Sequence, residues 1–328
     1  GNDLDRLAYN EYISFGCAEG TAKDVFQLMV TIDRRFMAGL AYFSGIRKLG
    51  AGVIRVGPGN PELQFDTIAK FNPTAIVTVP SFLITLIEYA KLNGIDCNKT
   101  GIQKAVCIGE SLRNPDFTLN SLGSRILNNW NLKLFSTYAS TEMGTAFTEC
   151  QYGMGGHHHP EMIIIEFLDD NDNPVAEGEP GELVITTLCI EAMPLLRFKT
   201  GDICKFQSNP CPCGRNTVRL GPIIGRKQQM IKYKGTAFYP PAIYDILNGM
   251  DGVENYIVEI STSELGTDDI LIKIGCNEPG KKTEAGIKDH FRAKLRVAPK
   301  ILFLPVEEIN KIKFTEKSRK PVILIDRR

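Results

Sequence analysis

From Leu4 to Ile108 the hydrophobic pattern switches repeatedly between a helical period and short apolar runs. Leu4 to Cys17 carries apolar residues at helical spacing, and Val25 to Val30 reads as a short buried strand. Gly39 to Lys48 reads as a helix and Ala51 to Val56 as a strand. A Gly/Pro turn follows, then a helix near Pro61 to Lys70 and a strand from Ala75 to Val79. The helix Ser81 to Leu92 leads to the strand Lys104 to Ile108. Strict alternation predicts a mostly parallel sheet covered by helices.

From about Glu161 the texture changes. Ile163 to Phe167 and Glu182 to Ile185 flank an Asp-Asn turn cluster, which predicts an antiparallel hairpin. After Gly225 two further strand-like runs, Tyr256 to Ile260 and Asp269 to Ile274, precede a basic helix near Ile287 to Leu295. The expected fold class is α/β: a mostly parallel sheet domain over 1–225, containing an antiparallel β subdomain over 150–220. A small, mobile α+β C-terminal domain over 226–328 follows, with its hinge near Arg226 to Gln229. No internal repeat or low-complexity segment interrupts this order.

The chain of 328 residues suits two domains, since about 150 residues make one. Its 38 basic and 38 acidic residues balance, which argues against a nucleic-acid or anionic-membrane partner. No apolar run approaches the roughly 18 residues of a membrane-spanning helix, and Gly1 to Arg6 does not read as a signal peptide. Nine cysteines, with only Cys211 and Cys213 close together, do not resemble a secreted disulfide framework. A cytoplasmic location is expected.

Ser136-Thr137-Tyr138-Ala139-Ser140-Thr141-Glu142-Met143-Gly144 follows a strand-like Leu132 to Phe135. The segment is read as a loop at the carboxyl end of a parallel strand, where open α/β sheets place ligands. Its aromatic ring, hydroxyls and carboxylate suit stacking on a base, bonding to phosphate and holding Mg²⁺. The alternative is a plain helix start capped by Ser140 or Thr141, with Glu142 in its first turn.

Cys150, His157, Cys211 and Cys213 form a Cys₃His set suited to tetrahedral zinc. His158 or His159 could replace His157, and a pair of inert reduced thiols is the bland alternative. A structural zinc is favoured over a catalytic one, because four protein ligands leave no open position. The Gly-rich Val56 to Asn60 lacks the spacing of a nucleotide-binding turn and reads as a strand-to-helix connection.

Taken together, Ser136 to Gly144, Arg197-Phe198-Lys199-Thr200-Gly201-Asp202 and Gly225-Arg226-Lys227-Gln228 resemble, in order, three motifs of adenylate-forming enzymes. Val106 to Ser111 resembles their strand and turn beside adenine. Gly181 to Leu188, Ala192 to Arg197 and Cys211 to Arg215 resemble the phenylacetate-CoA ligase branch. The resemblance runs almost the whole length, with Ala139, Gln228 and Arg319 departing from the family pattern.

The resemblance implies an acid-thiol ligase that uses ATP to activate an aryl or arylacetic acid and passes the acyl group to coenzyme A. Asp202 would bind the ribose hydroxyls, Arg226 ribose and phosphate, Thr141 the α-phosphate and Glu142 Mg²⁺. Tyr138 would stack on adenine. Gly109, Glu110 and Ser111 would line the base pocket, with Ser136, Thr137, Ala139 and Ile223 also at the nucleotide. A plain Asp202–Arg197 ion pair is the alternative.

Lys320 matches the adenylation lysine, with Lys317 as the other option and a solvated basic tail as the bland reading. Gln228 would sit at the hinge, while Phe36 and Met37 would touch the acyl group. The family's Ser/Thr/Gly-rich phosphate loop belongs before the segment matching Asn2 to Tyr9, so the chain is expected to begin late against the family pattern. Two other functions stay open: a nucleotide-binding module without catalysis, and an enzyme that loads a carrier-protein thiol. The oligomeric state is open too, a homodimer included.

Overall fold

The computed structural model describes residues 1–33, 36–233, 235–250, 253, 255–263, 268–276, 281–314 and 321–328. The chain divides into two units, Gly1–Ile223 and Ile224–Arg328.

The first unit opens with α1 (Asn2–Cys17), β1 (Val25–Leu28), α2 (Met37–Leu49), β2 (Gly52–Arg55), α3 (Pro61–Phe71), β3 (Ala75–Thr78), α4 (Pro80–Leu92) and β4 (Lys104–Ile108). Next come α5 (Ser121–Leu127), β5 (Lys133–Ser140) and β6 (Thr145–Thr148). These strands form one sheet in the order β2-β1-β3-β4-β5-β6, parallel except for β6. Both faces of the sheet are covered, so β3 and β4 are buried along their whole length and are built on the apolar runs Ala75 to Val77 and Ala105 to Ile108. Pro61 and Pro80 begin α3 and α4, where the missing N–H costs no helical bond. One face packs Ile76, Leu83, Leu86, Ala105, Ile126 and Trp130; the other packs Phe15, Phe26, Leu28, Ile46, Val77 and Phe135.

Near the amino ends of the strands, Lys104 Nζ lies 3.0 Å from Asp24 Oδ2 and donates to the Glu19 carbonyl at 2.8 Å. Asp24 also accepts from Thr74 at 2.7 Å. That edge is tied together by charge, which leaves the carboxyl edge for ligand chemistry.

The rest of the first unit is antiparallel. It comprises β7 (Gly156–His157), β8 (Ile163–Leu168), β9 (Gly181–Thr187), β10 (Phe198–Cys204), β11 (Phe206–Gln207) and β12 (Arg219–Leu220). β9 runs between β8 and β10, and β12 between β7 and β11. Met143, Phe147, Ile163, Leu183, Ile185 and Leu220 make its core.

The second unit holds β13 (Gly225–Arg226), β14 (Ile231–Tyr233), β15 (Thr236–Phe238), α6 (Pro240–Asn248), β16 (Asn255–Thr262) and β17 (Asp268–Gly275). It ends with α7 (Lys281–Leu295), β18 (Lys300–Leu304), α8 (Val306–Lys313) and β19 (Leu324–Asp326). The sheet order β18-β17-β16-β19 packs Val258, Ile260, Ile272 and Ile274 against Ile246, Ile287 and Phe291. Gly225 is tied to its place, because a Cβ there would lie 2.3 Å from the Tyr239 ring.

The α/β class with a parallel-dominated sheet and antiparallel sheets is borne out. One local expectation is corrected: Ser136 to Ser140 is not a loop but the continuation of β5. From Thr137 onward it pairs antiparallel with β6, Thr137 opposite Thr148 and Ser140 opposite Thr145. No helix starts at Ser140 or Thr141, so neither residue is a helix cap. β-Branched and aromatic residues favour the extended form, but the partner that fixes it lies beyond the turn.

Candidate functional site

β5 leaves the parallel sheet at Thr137, the last residue paired with β4, and continues as a hairpin with β6. The hairpin turn, Thr141 to Gly144, therefore projects beyond the carboxyl edge. Thr141 and Glu142 are exposed there, while Met143 is fully buried and anchors the turn in the antiparallel core. Gly144 has φ +53, a left-handed conformation that glycine adopts at little cost.

Helix α1 braces the turn from below. The buried Arg6 guanidinium donates to the Gly144 carbonyl at 2.6 Å, to the Leu188 carbonyl at 2.7 Å, and to Thr145 Oγ1 and the Met162 carbonyl. One turn further along α1, Asn10 Oδ1 accepts from the Ala146 N–H at 3.0 Å.

Asp202 reaches the same region through a distortion of β10. Lys199 pairs with Val184 and Ile203 with Glu182, so Thr200 to Asp202 stand opposite Leu183 alone. Gly201 adopts φ +76, and Thr200 Oγ1 replaces the missing ladder bonds by donating to the Leu183 carbonyl and accepting from Asp202 N–H. The bulge brings the Asp202 carboxylate to Tyr138, whose hydroxyl donates to Oδ2 at 2.6 Å. Burial, reinforced by the Asp202 charge, raises the Tyr138 phenol far above its ordinary range and keeps it a donor. The alternative Asp202–Arg197 ion pair is not formed. Arg197 instead makes two bonds to Glu166, at 2.9 and 3.0 Å. Ile223 packs with Tyr138 against the same core.

Gly109, Glu110 and Ser111 follow β4, beside the point where β5 departs. Gly109 has φ +77 and is exposed. The Glu110 carboxylate accepts from Ser81 N–H and Oγ, each at 2.8 Å, and so caps the start of α4. Ser111 Oγ donates to the Arg113 carbonyl at 2.9 Å. Ser136 is half-buried and its N–H donates to Glu149, while Thr137 is buried, its hydroxyl 3.1 Å from that of Thr148 in the core. Ala139 is exposed on β5.

Phe36 packs against the core on the α2 side, whereas Met37 opens α2 and is exposed. Arg226 and Gln228 belong to the second unit, Gln228 in a single 3₁₀ turn, Lys227–Gln229. Lys317 and Lys320 lie outside the described residues.

The metal-type cluster is assembled. The ligand atoms of Cys150, His157, Cys211 and Cys213 all lie within 4.8 Å of one another. Cys150 and Cys211 Sγ are 3.7 Å apart, and Cys213 Sγ is 3.5 Å from His157 Nε2. These separations match a tetrahedron with metal–sulfur bonds of about 2.3 Å and a metal–nitrogen bond of about 2.0 Å. His158 is turned away, its Nε2 2.7 Å from the Ile163 carbonyl, and His159 is absent from the cluster.

Burial holds the His157 imidazole down at about 4, in the neutral form that ligates metal. Burial would raise the Cys213 thiol, but the Arg215 N–H and guanidinium outweigh it and bring Cys213 to about 7. Gly214, with φ +93, closes the turn between the paired cysteines and Arg215.

The sequence did not single out Arg6, Arg113 or Glu149. Arg113 Nε donates to Glu149 Oε1 at 2.8 Å, in a pair that is almost fully buried. No spacing rule connects residues so far apart in the chain.

A family model described as AMP-binding enzyme matches residues 8–191. The chain belongs to the AMP-binding enzyme family. This family member is 30% identical to a phenylacetate-coenzyme A ligase of Thermus thermophilus over 248 residues, which is 74% of this chain and 54% of the relative. It is 28% identical to the Escherichia coli phenylacetate-coenzyme A ligase over 249 residues, 73% of this chain and 54% of that one. The chain thus spans about half the length of these two relatives. Among solved structures, 2-hydroxyisobutyryl-CoA ligase bound to an acyl-AMP superposes with a TM-score of 0.82 at 22% identity, over 99% of this chain and 70% of that one. A benzoate CoA ligase from Burkholderia xenovorans gives 0.69 at 18% identity, over 96% and 64%. At these identities the structural likeness speaks for the fold alone.

Proposed function

We propose that this chain works as an ATP-dependent acyl-CoA ligase for an aryl or arylacetic acid. The observation that carries the reading is the buried Asp202 carboxylate, lifted by the β10 bulge against Tyr138 beside the Thr141–Glu142 turn. A carboxylate has room to accept several hydrogen bonds at once, so Asp202 can hold a ribose diol while keeping Tyr138 oriented. Glu142 holds Mg²⁺, Thr141 bonds the α-phosphate, and Gly109, Ser111 and the Tyr138 ring form the base site.

The acid's carboxylate oxygen attacks the α-phosphorus and pyrophosphate leaves, giving an acyl-adenylate. A cation from the C-terminal segment, Lys320 or Lys317, offsets the charge on the phosphoryl oxygens in that step. The CoA thiol, losing its proton to solvent, then attacks the acyl carbon and AMP leaves. Arg226 and Gln228 act in the second unit, at the ribose and at the hinge.

The Cys₃His cluster holds a structural zinc. With all four positions filled by protein it supplies no substrate site, and its role is to staple the loops around β7 and β12.

Calorimetric titration of AMP, and of ATP with Mg²⁺, into the wild-type chain and Asp202→Ala tests the nucleotide site. Saturable binding that Asp202→Ala abolishes supports the reading; a folded wild-type chain that binds neither nucleotide overturns it. Thioester formation from an acid panel with ATP and free CoA then separates CoA ligation from loading of a carrier-protein thiol.

A further inference from the structure

We propose that Arg113 and Glu149 are positioning residues for the nucleotide site, a buried ion pair that holds its two base-facing segments in register. The proposal rests on the nucleotide site described under Proposed function.

One segment, Gly109 to Ser111, is a loop leaving β4; the other, Ser136 to Ala139, is where β5 parts from the parallel sheet. Ser136 and Thr137 are still paired with Cys107 and Ile108, but past them the ladder between β4 and β5 ends, so Gly109 to Ser111 must be held against β5 by something else. Glu149 fixes the second. It continues the β6 register, its N–H donates to the Ser136 carbonyl at 3.0 Å, and its Oε2 accepts the Ser136 N–H at 3.1 Å.

Arg113 fixes the first segment. Its backbone N–H and C=O both bond the Ser111 hydroxyl, at 3.3 and 2.9 Å, and its Nη1 donates to the Phe117 carbonyl at 3.1 Å. The side chains meet at 2.8 Å, with Glu149 almost wholly buried. Gly153 lies directly over the guanidinium, since a Cβ there would fall 2.1 Å from Arg113 Nη2. The Gly153 backbone therefore covers one side of the cation. Ser111 is bonded to the Arg113 backbone and Ser136 to the Glu149 backbone and carboxylate, so the charge pair links the two segments.

Losing one partner leaves a buried charge alone, which destabilises the fold; losing both removes that penalty. Positioning and plain stability can therefore be separated. AMP affinity and melting temperature are to be measured for the wild-type chain, Arg113→Met, Glu149→Gln, the double variant and Arg113→Lys. The double variant is expected to melt closer to wild type than either single variant does, yet to bind AMP roughly tenfold more weakly than wild type. Arg113→Lys keeps a cation beside Glu149 but not the bond to Phe117, and is expected to bind AMP between wild type and Arg113→Met.

Wild-type AMP affinity in a folded double variant overturns the proposal. So does a series in which affinity simply follows melting temperature. If the double variant does not fold, Arg113→Lys decides: an affinity equal to that of wild type, or one that only follows its melting temperature, overturns the proposal, and an intermediate affinity at a wild-type melting temperature supports it. Failure of the wild-type chain to bind AMP is a different result, and it removes the nucleotide site itself.

Discussion

Tyr138 and Asp202 are joined by a 2.6 Å hydrogen bond across two sheets, from β5 of the mainly parallel sheet to β10 of the antiparallel one. The bond ties the candidate base platform to the candidate ribose acceptor, so removing either end has a different consequence. Tyr138→Phe keeps the ring and drops one hydrogen bond to a charged group, a loss of about 1.5–3 kcal/mol in stability. Its AMP affinity is expected to fall far less than that of Asp202→Ala, which loses the acceptor outright. Calorimetry on the two variants gives the comparison; equal losses would place the ribose elsewhere.

The Cys₃His cluster predicts one zinc per chain. Treatment with a strong chelator is expected to lower the melting temperature, because a protein-ligated metal binds the folded state and not the unfolded one. Cys213→Ser should reduce metal content and reproduce the lower melting temperature without chelator. His158→Ala should leave metal content unchanged, since that ring is directed at the Ile163 carbonyl. Elemental analysis of the purified variants gives the metal content, and thermal unfolding gives the melting temperatures.

Glu11 gives a pH dependence of stability. It is buried between α1 and α2, and burial pushes its carboxyl up to about 8 from an ordinary 4.5, against a smaller lowering by its bond from Asn10. The folded chain thus holds this proton more tightly than the unfolded chain does. The associated stability is complete below about 4.5 and is lost as pH rises through about 8, at a slope of no more than ~1.4 kcal/mol per pH unit. Glu11→Gln keeps the shape and cannot ionise. Its melting temperature is expected to exceed that of wild type above pH 8 and the difference to shrink toward acid. Parallel curves for the two proteins would refute this.

The same helix pair predicts an intolerant glycine. A Cβ on Gly45 would lie 2.3 Å from Glu11 Cβ and 2.8 Å from the Glu11 carbonyl carbon. Backbone obstructs it, so α1 and α2 must separate. Gly45→Ala is expected to cost about 1–3 kcal/mol despite its better helix propensity, read from denaturant unfolding. Gly286→Ala on α7, where a Cβ would meet nothing within 4 Å, is the control and should be neutral or stabilising.

Much of this architecture is legible in the sequence because it is local. Ala75 to Val77 and Ala105 to Ile108 are continuous apolar runs between helical periods, and each lies in a central strand. The extension of β5 is not legible in that way, since Ser136 to Ser140 becomes a strand only by pairing with residues beyond the turn. The three histidines show the same limit. Composition offers all of them to a metal, and the fold selects His157 by directing His158 to a main-chain carbonyl. Arg113 and Glu149 carry no signal at all in one dimension, because their meaning is a shared burial.

The β10 bulge also bears on how this chain could be redesigned. It inserts an even number of extra residues, so side chains on either side of it keep their faces: Lys199 stays in register with Val184 and Ile203 with Glu182. Shortening the segment by one residue would invert that alternation and drive the buried Cys204 outward. Shortening it by two would leave the sheet whole while withdrawing the seat of Asp202. Chain length at this one place therefore offers a way to silence the candidate site in a protein that still folds.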